Sequence, residues 1–230
     1  MSNKPKTDLI LWSGGFDSTY YILKTINEMK NINSKQPLKT INTLSINSNV
    51  LTNSKFQKEA RKNIRNIIDK KYLPNIIFQN DELEIPTYLF NRESGIILQP
   101  LFVYHIAMYI HDNTNVIICF IKGDAAVYYK NELLNVFNSI CYMTGKHNCS
   151  LSFPLMLEEK YKMYRFFKSF LDPKNEILPF IYTCDNMQKK KNCEQCDKCI
   201  ELDMCEYFYQ KFCLNNKTLE HKPNKRKKKK

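Results

Sequence analysis

Short apolar runs alternate along most of the chain with longer segments whose apolar residues recur every three or four positions. Residues 9–11 form the first apolar run, and Ile22, Ile26 and Met29 follow at helical spacing. A compact run predicts a buried strand, and the longer spacing predicts an amphipathic helix. Over the whole chain the pattern predicts strands at residues 8–12, 40–47, 75–79, 116–121 and 151–155. It predicts helices at residues 18–30, 55–71, 98–111, 132–143, 158–171 and 200–212.

The alternation of strands and helices predicts the fold class. Strand–helix–strand crossovers build a parallel sheet, so we expect an α/β domain with helices on both faces of the sheet. Ligands bind such sheets beyond the carboxyl ends of the strands, which places the turn at residues 13–18 at the binding edge. After Pro179 the pattern changes to a cysteine-rich segment and a short helix. We therefore divide the chain into an α/β domain at residues 1–178, a cysteine-rich element at 179–215 and a basic tail at 216–230.

Positive charge is concentrated at the end of the chain. The formal net charge is +12, and seven positive charges fall between Lys222 and Lys230, which leaves +5 for the remainder. A mildly basic body suits a polyanionic small molecule and RNA equally well. The terminal tract has no apolar residue except Pro223, so we expect it to be disordered. Such tracts are typical of RNA contacts and of nuclear import signals, and a solvated charge run with neither role is the alternative.

The length of the apolar segments and the cysteine content indicate in which cellular compartment the protein is expected. No stretch reaches the roughly 20 apolar residues of a membrane span, since the longest apolar region, residues 95–110, is interrupted by Gln99, Pro100 and His105. Residues 1–8 are polar and contain no signal-peptide core. We expect a cytoplasmic protein without a membrane partner, or a nuclear one if the basic tail acts as an import signal. In either compartment the nine cysteines are expected to be free thiols or metal ligands rather than disulfides.

Only five glycines are present, and two of them are adjacent in the hexapeptide Ser13-Gly14-Gly15-Phe16-Asp17-Ser18. The hexapeptide lacks the lysine of a Walker A loop and the three-glycine spacing of a dinucleotide-binding turn. Paired glycines still let the backbone approach a phosphate, and the helical N–H groups and the serine hydroxyls supply donors. Asp17 is unexpected beside a phosphate unless it holds a cation or caps the helix. The alternative is a strand-to-helix turn, capped by Asp17 or Ser18, that binds no ligand.

The hexapeptide resembles the SGGxDS signature of the PP-loop, or N-type, ATP pyrophosphatases. The resemblance implies that Ser13 to Ser18 hold the pyrophosphate portion of ATP while a substrate oxygen attacks the α-phosphorus. The products would be an AMP-activated substrate and pyrophosphate. It further implies that Ser13 and Asp17 act in catalysis and that Asp17 lies near the Mg²⁺ that accompanies ATP. A carboxylate nucleophile is already ionised near neutral pH, so no general base is required.

Four cysteines cluster in the second element with the spacing C-x8-C-x2-C-x2-C, at Cys184, Cys193, Cys196 and Cys199. Four thiolates in a short segment predict a closed tetrahedral Zn²⁺ site with a structural role. An iron–sulfur cluster is one alternative because C-x2-C-x2-C also occurs there, although here the fourth cysteine lies upstream. Unliganded thiols are the other alternative. The scattered cysteines are interpreted as core or surface thiols: Cys119, Cys141, Cys149, Cys205 and Cys213.

The loop and the cysteine cluster together resemble the 7-cyano-7-deazaguanine synthase family of queuosine-precursor synthesis. The similarity extends from about residue 8 to residue 208. Ile121-Lys122-Gly123-Asp124 resembles the strand end that carries a glycine beside the substrate, which assigns Gly123 to the binding site. Phe153-Pro154-Leu155 followed by Lys160 resembles a stretch near the substrate pocket, which assigns Lys160 a catalytic role.

The resemblance implies an activity and its cofactors. ATP, Mg²⁺ and a structural Zn²⁺ would be the cofactors, and a small-molecule carboxylate or modified base of the 7-carboxy-7-deazaguanine type would be the substrate. The enzyme would be an ATP-dependent ligase that joins ammonia to the carboxylate, giving an amide and then a nitrile, with release of AMP and pyrophosphate. A homodimer is left open.

Three segments depart from the family pattern. Leu98-Gln99-Pro100-Leu101 stands where the family usually has an Arg-Asn pair, and Ala125-Ala126-Val127-Tyr128-Tyr129 replaces its Tyr-Pro-Asp-Cys stretch. Ser48-Asn49-Val50 replaces its Tyr-Gly-Gln turn. ATP handling is therefore expected to be retained, whereas the acceptor can be another carboxylate, a base or a protein. A tRNA-thiolating PP-loop enzyme and a nucleotide- or RNA-binding module without turnover are the alternatives.

Overall fold

The computed structural model describes residues 6–30, 39–48, 54–72, 76–85, 99–184 and 193–214. Its strands are β1 (Thr7–Leu11), β2 (Lys39–Ser48), β3 (Ile76–Ile85), β4 (Thr114–Ile117) and β5 (Ser150–Ser152). Its helices are α1 (Phe16–Lys30), α2 (Ser54–Tyr72), α3 (Gln99–Tyr109), α4 (Lys130–Met143), α5 (Lys160–Phe166) and α6 (Asp197–Tyr209). Short 3-10 turns lie at Ala125–Tyr129 and Leu178–Phe180, and π turns follow α5 and α6 at Phe167–Leu171 and Gln210–Leu214. Within these ranges no helix combines the length and the apolarity that a membrane crossing requires.

The five strands form one sheet in the order β3-β2-β1-β4-β5, and every neighbouring pair is parallel. β1 lies at the centre, with Leu9 opposite Asn42 of β2 and opposite Val116 of β4. The chain adds β2 and β3 on one side of β1 and then returns to add β4 and β5 on the other side. The strand order therefore reverses between β1 and β4, and in open α/β sheets ligands bind beyond the carboxyl ends of the strands at such a point.

Helices cover both faces of the sheet. Ile10 of β1 belongs to a buried cluster with residues of α1, α2 and α5, among them Ile22 and Ile64. Leu9 belongs to a second cluster with residues of α3 and α4, among them Ile106 and Phe137. Adjacent residues of a strand point to opposite faces, so these clusters are the two cores on either side of the sheet. The α/β class and the parallel sheet predicted from the sequence are confirmed.

β3 is longer than its apolar pattern predicted. The prediction ended this strand at residue 79, whereas its pairing with β2 continues to Ser48 opposite Ile85. The extension carries Asp81, Glu82 and Glu84, which hydrophobic alternation could not assign to a strand. β3 lies at the edge of the described sheet, where charged side chains are common because they discourage pairing with another chain. The predicted first residue of this strand, at position 75, lies outside the described residues.

β4 is shorter than its apolar pattern predicted. The prediction continued the strand to residue 121, but pairing with β5 ends at Ile117 opposite Ser152. Ile118 and Ile121 are nevertheless buried. The apolar run therefore reflects burial beyond the strand end as well as strand pairing.

The described part of the C-terminal element packs against the segment that follows β5. The ring of Tyr164 in α5 lies edge-on to the ring of Tyr209 in α6, with centroids 6.3 Å apart. The sequence predicted one helix over residues 158–171, but α5 ends at Phe166 and Phe170 is 67% exposed. A π turn replaces the α-helix from residue 167 onward, and its wider turn rotates the following side chains out of the predicted register. The basic tail at residues 216–230 lies outside the described residues.

Candidate nucleotide site and metal centre

The turn between β1 and α1 lies at the carboxyl end of the central strand. α1 begins at Phe16, two residues earlier than predicted, so Asp17 lies in the first helical turn and neither Asp17 nor Ser18 caps the helix. Gly14 has a φ of +86°, a left-handed conformation that glycine adopts without steric cost. The loop presents the amino end of α1, whose backbone N–H groups and dipole favour an anion.

Two serine hydroxyls converge across this turn. Ser13 Oγ lies 3.3 Å from Ser18 Oγ. Ser13 Oγ also accepts a hydrogen bond from the Gly15 N–H over 3.1 Å. Both hydroxyls can rotate to donate to an anion, because the position of a hydroxyl hydrogen is free to suit its partner.

The back of the loop is held from two directions. A Cβ on Gly14 would lie 2.9 Å from the Gln57 carbonyl oxygen and 3.1 Å from Arg61 Cγ, so α2 packs directly against this glycine. Arg61 Nη1 donates to the Ser13 carbonyl oxygen over 3.3 Å. On the other side, the Tyr182 N–H donates to the Gly14 carbonyl oxygen over 3.1 Å. These contacts hold the loop between α2 and the segment around Tyr182.

Gly14→Ala is expected to lower the free energy of unfolding by about 1–3 kcal/mol. The substitution combines an unfavourable φ of +86° with a clash against a backbone oxygen 2.9 Å away. Chemical denaturation measures the loss. Gly123→Ala is the matched control, because Gly123 has a φ of +101° but no described atom within 4 Å of an added Cβ. A loss for Gly14→Ala no greater than that for Gly123→Ala would show that close packing does not hold the loop.

Arg61 is a buried cation that sequence patterns did not single out. It is 3% exposed, and its Nη2 donates to Asn47 Oδ1 over 3.1 Å and lies 3.8 Å from Glu82 Oε1. Burial lowers the pKa of Arg61, and the charge of Glu82 opposes that shift. Its position could have indicated burial, because Arg61 lies three residues before Ile64 and therefore on the inward face of α2. A charge on that face requires polar partners. Arg61 connects β2 and β3 to the loop through its bond to the Ser13 carbonyl oxygen.

Asp17 and Lys160 form an ion pair although they lie 143 positions apart. Lys160 Nζ lies 2.8 Å from Asp17 Oδ1 and donates a hydrogen bond to Oδ2 over 2.9 Å. Burial raises the pKa of Asp17, and Lys160 opposes that shift. Burial alone would lower the pKa of Lys160, but the charges of Asp17, Glu201 and Asp124 outweigh it and raise the pKa. Lys160 is therefore a cation at neutral pH.

A cavity of about 480 Å³ is lined by residues at the carboxyl ends of β1 and β4, where the strand order reverses. Its volume falls in the usual range of small-molecule sites. Most of the predicted binding and catalytic residues line it, namely Ser13, Gly15, Phe16, Asp17, Ser18 and Lys160. Gly14 lies behind the loop against α2. Among the described residues, Asp124 forms part of the wall and its neighbour Gly123 does not.

Two polar atoms on the residues lining this cavity are buried without a hydrogen-bond partner among the described residues. They are Gln99 Oε1 and Thr183 Oγ1. Asp17 Oδ1, by contrast, is partnered by the Lys160 ammonium 2.8 Å away. A buried polar group without a partner costs free energy, so this cavity wall has unmet capacity to bind hydrogen-bonding groups. The sequence patterns gave no indication of Thr183.

The four clustered cysteines come together in space. The Sγ atoms of Cys184, Cys193, Cys196 and Cys199 all lie within 4.8 Å of one another. A tetrahedral Zn²⁺ with sulfur ligands at about 2.3 Å needs sulfur atoms only slightly closer, so small side-chain rotations suffice. The Cys196 N–H donates to Cys193 Sγ over 3.3 Å. The cluster could hold a metal such as zinc, as the spacing predicted.

The electrostatics of the cluster also fit a cation. Hydrogen bonds from the backbone N–H groups of Gln195 and Cys196 lower the pKa of Cys193 to about 6, with that of Gln195 contributing most. Burial raises the pKa of Cys199 to about 12. A thiolate at Cys199 therefore needs a bound cation, whereas Cys193 is already poised to ionise near neutral pH.

The cysteine cluster and the cavity share residues. Cys184 belongs to the cluster and lines the cavity, and Lys198 and Glu201 of α6 line the same wall. Glu201 Oε2 lies 3.7 Å from Lys160 Nζ. The scattered Cys119 also lines the cavity, where burial raises the pKa of its thiol well above the usual range. The two sites that the sequence predicted separately are thus adjacent.

Comparison with protein-family models finds no match, and comparison with curated proteins finds none either. The chemistry of the site is therefore inferred from its residues and from the resemblance of its motifs.

Proposed function

We propose that this protein is an ATP-dependent adenylating enzyme of the PP-loop class, similar to 7-cyano-7-deazaguanine synthase. One observation carries the proposal. The glycine loop, Lys160 and the cluster residue Cys184, which are far apart in the sequence, line one cavity at the point where the strand order reverses. That position is the usual ligand site of an open α/β sheet.

The residues of the cavity have distinct tasks in this proposal. The loop backbone and the Ser13 and Ser18 hydroxyls hold the leaving pyrophosphate of ATP, whose charge the amino end of α1 stabilises. Lys160 supplies the positive charge beside it. Asp17, which lies in the first turn of α1 beside the loop, would contribute a carboxylate ligand to the Mg²⁺ that accompanies ATP.

The proposed reaction activates a carboxylate of the 7-carboxy-7-deazaguanine type. A carboxylate oxygen attacks the α-phosphorus, the bond to the β-phosphate oxygen breaks, and pyrophosphate leaves. Ammonia then attacks the acyl carbon, AMP and one proton leave, and an amide forms. A second ATP activates the amide oxygen in the same way, and loss of AMP with two protons gives the nitrile. Gln99 and Ala125, which stand where the family has other residues, line the cavity and would set the shape of the acceptor pocket.

The test measures whether the carboxylate drives ATP cleavage. The full chain is incubated with ATP, Mg²⁺ and ammonia, with and without 7-carboxy-7-deazaguanine, and pyrophosphate and the modified base are quantified. We expect carboxylate-dependent pyrophosphate release and a nitrile product. Pyrophosphate release that the carboxylate does not change would exclude this acceptor, and ATP binding without any cleavage would favour a nucleotide-binding module.

A second candidate function is thiolation of tRNA, which the position of Cys184 favours. A cluster that shares a wall with the nucleotide cavity is placed to take part in chemistry as well as to support the fold. An iron–sulfur cluster bound by the four cysteines would supply sulfur-transfer chemistry that zinc cannot. Metal analysis separates the candidates, because a coloured protein containing iron and sulfide favours thiolation and a colourless zinc protein favours the ligase.

A further inference from the structure

The geometry points to a coupling between the metal centre and the nucleotide loop, with Glu201 as the positioning residue that connects them. Metal bound by the four cysteines would organise the loop and so raise its affinity for the nucleotide. The identity of the nucleotide rests on the proposed function. The coupling itself rests on contacts between the two sites.

The first connection is a backbone hydrogen bond. The Tyr182 N–H donates to the Gly14 carbonyl oxygen over 3.1 Å, and the Tyr182 carbonyl oxygen would lie 3.6 Å from a Cβ on Gly15. Tyr182 precedes the ligand Cys184 by two residues and is buried in one cluster with it. Its ring also packs on Phe56 of α2, with centroids 5.6 Å apart. A metal that fixes Cys184 therefore fixes the backbone that supports both glycines.

The second connection is a chain of charges. α6 begins directly after the ligand Cys196 and contains the ligand Cys199. Two residues beyond Cys199, Glu201 Oε2 lies 3.7 Å from Lys160 Nζ, which pairs with Asp17 in the first turn of α1. Glu201 is partly exposed, so the strength of this single pair is modest. Its effect is to help hold Lys160 Nζ beside the Asp17 carboxylate, since both carboxylates lie within 4 Å of the same ammonium.

The third connection is the order in which the ligands occur. Eight residues separate Cys184 from Cys193 in the sequence. A bound metal joins the segment that supports the loop to the segment that begins α6, so both supports depend on one ion. Coupling of this kind is reciprocal, and typical coupling free energies change affinity by about 5- to 150-fold.

Amide hydrogen exchange tests the coupling without any nucleotide. The zinc-loaded full chain is compared with the same protein after removal of the metal by a chelator. We expect faster exchange in residues 13–19, at the loop and the first turn of α1, than before chelation. Residues 130–152, which contain α4 on the other face of the sheet and the strand β5, should exchange at an unchanged rate. Unchanged exchange at residues 13–19 would overturn the inference.

Nucleotide affinity gives the second readout. The Kd of α,β-methylene-ATP, which cannot be cleaved between the α- and β-phosphates, should rise about 5- to 150-fold when the metal is removed. If the zinc-loaded protein bound no nucleotide while the loop still responded to metal, the proposed function would fail and the coupling would stand. If the loop did not respond while α,β-methylene-ATP bound equally well with and without metal, the coupling would fail and the proposed function would stand.

Glu201→Gln tests the connection if chelation unfolds the whole chain. The variant retains all four cysteines, so it should keep its zinc while the Kd of α,β-methylene-ATP rises several-fold. Glu201→Asp should restore part of that affinity. Asp203→Asn, at an exposed carboxylate on the same helix, is the matched control and should bind like the wild type. Equal affinity for Glu201→Gln and Asp203→Asn would remove Glu201 from the coupling.

Discussion

Asp17→Asn is expected to reduce pyrophosphate release from ATP by about 100-fold or more. The substitution keeps the shape of the side chain but removes the charge that pairs with Lys160 at 2.8 Å and that would hold Mg²⁺ beside the phosphates. Pyrophosphate release is measured at saturating ATP with the acceptor present. The proposal that Asp17 acts in catalysis would be wrong if this variant kept wild-type activity.

The same substitution is expected to leave the fold intact. Because burial raises the pKa of Asp17, its charge destabilises the folded state at neutral pH. That cost disappears as the pH falls through the raised pKa, and Asn removes it at every pH. The loss of a partner for Lys160 acts in the opposite direction, although Glu201 remains 3.7 Å from Nζ. The thermal midpoint should therefore change little, and circular dichroism checks it.

Asp8→Asn is the matched control for Asp17→Asn. Asp8 lies near the amino end of β1, at the opposite end of the strand from the loop, and accepts a hydrogen bond from Asn115 Nδ2 over 2.8 Å. Its substitution should leave pyrophosphate release unchanged. Loss of activity in both variants would indicate a general effect on β1 rather than a specific role for Asp17.

Cys193→Ser is expected to abolish stoichiometric zinc binding and to unfold the described C-terminal element, residues 193–214. Structural zinc sites contribute an apparent binding free energy of about 10–16 kcal/mol near neutral pH, and that free energy is coupled to folding. The Cys193 thiol is also the ligand with the lowered pKa, near 6. Metal analysis of the purified protein should fall from one zinc per chain toward none, and limited proteolysis should cleave this element.

Cys213→Ser is the matched control for the metal site. Cys213 lies in the π turn after α6 and outside the cluster. It should retain zinc and resist proteolysis as the wild type does. A zinc content that Cys193→Ser does not change would contradict the assignment of the four ligands, and iron with sulfide in the wild type would contradict the choice of metal.

Local patterns in the sequence predicted the features that depend on neighbouring residues. The alternation of strands and helices predicted the parallel sheet, and the spacing of Cys193, Cys196 and Cys199 predicted a cluster that the fold does bring together. The hexapeptide at residues 13–18 does follow the central strand and open a helix. Each of these features could be predicted because its signal lies in residues that are close together in the sequence.

Features that depend on distant residues could not be predicted in this way. Nothing in the sequence around Asp17 indicates that Lys160 is its partner, because the contact depends on where the fold places α5 relative to α1. Arg61 is similar, since its partners Asn47 and Glu82 come from two strands. The contact between the cysteine cluster and the cavity beside the glycine loop also depends on the tertiary fold.

Identification of the products of ATP turnover tests directly whether this protein adenylates its substrate. The full chain is incubated with ATP, Mg²⁺, ammonia and 7-carboxy-7-deazaguanine, and the phosphorus-containing products are followed by phosphorus NMR. We expect AMP and pyrophosphate in equal amounts, because in the proposed reaction the loop holds the pyrophosphate while the α-phosphorus is attacked. ADP and inorganic phosphate as the products would contradict it.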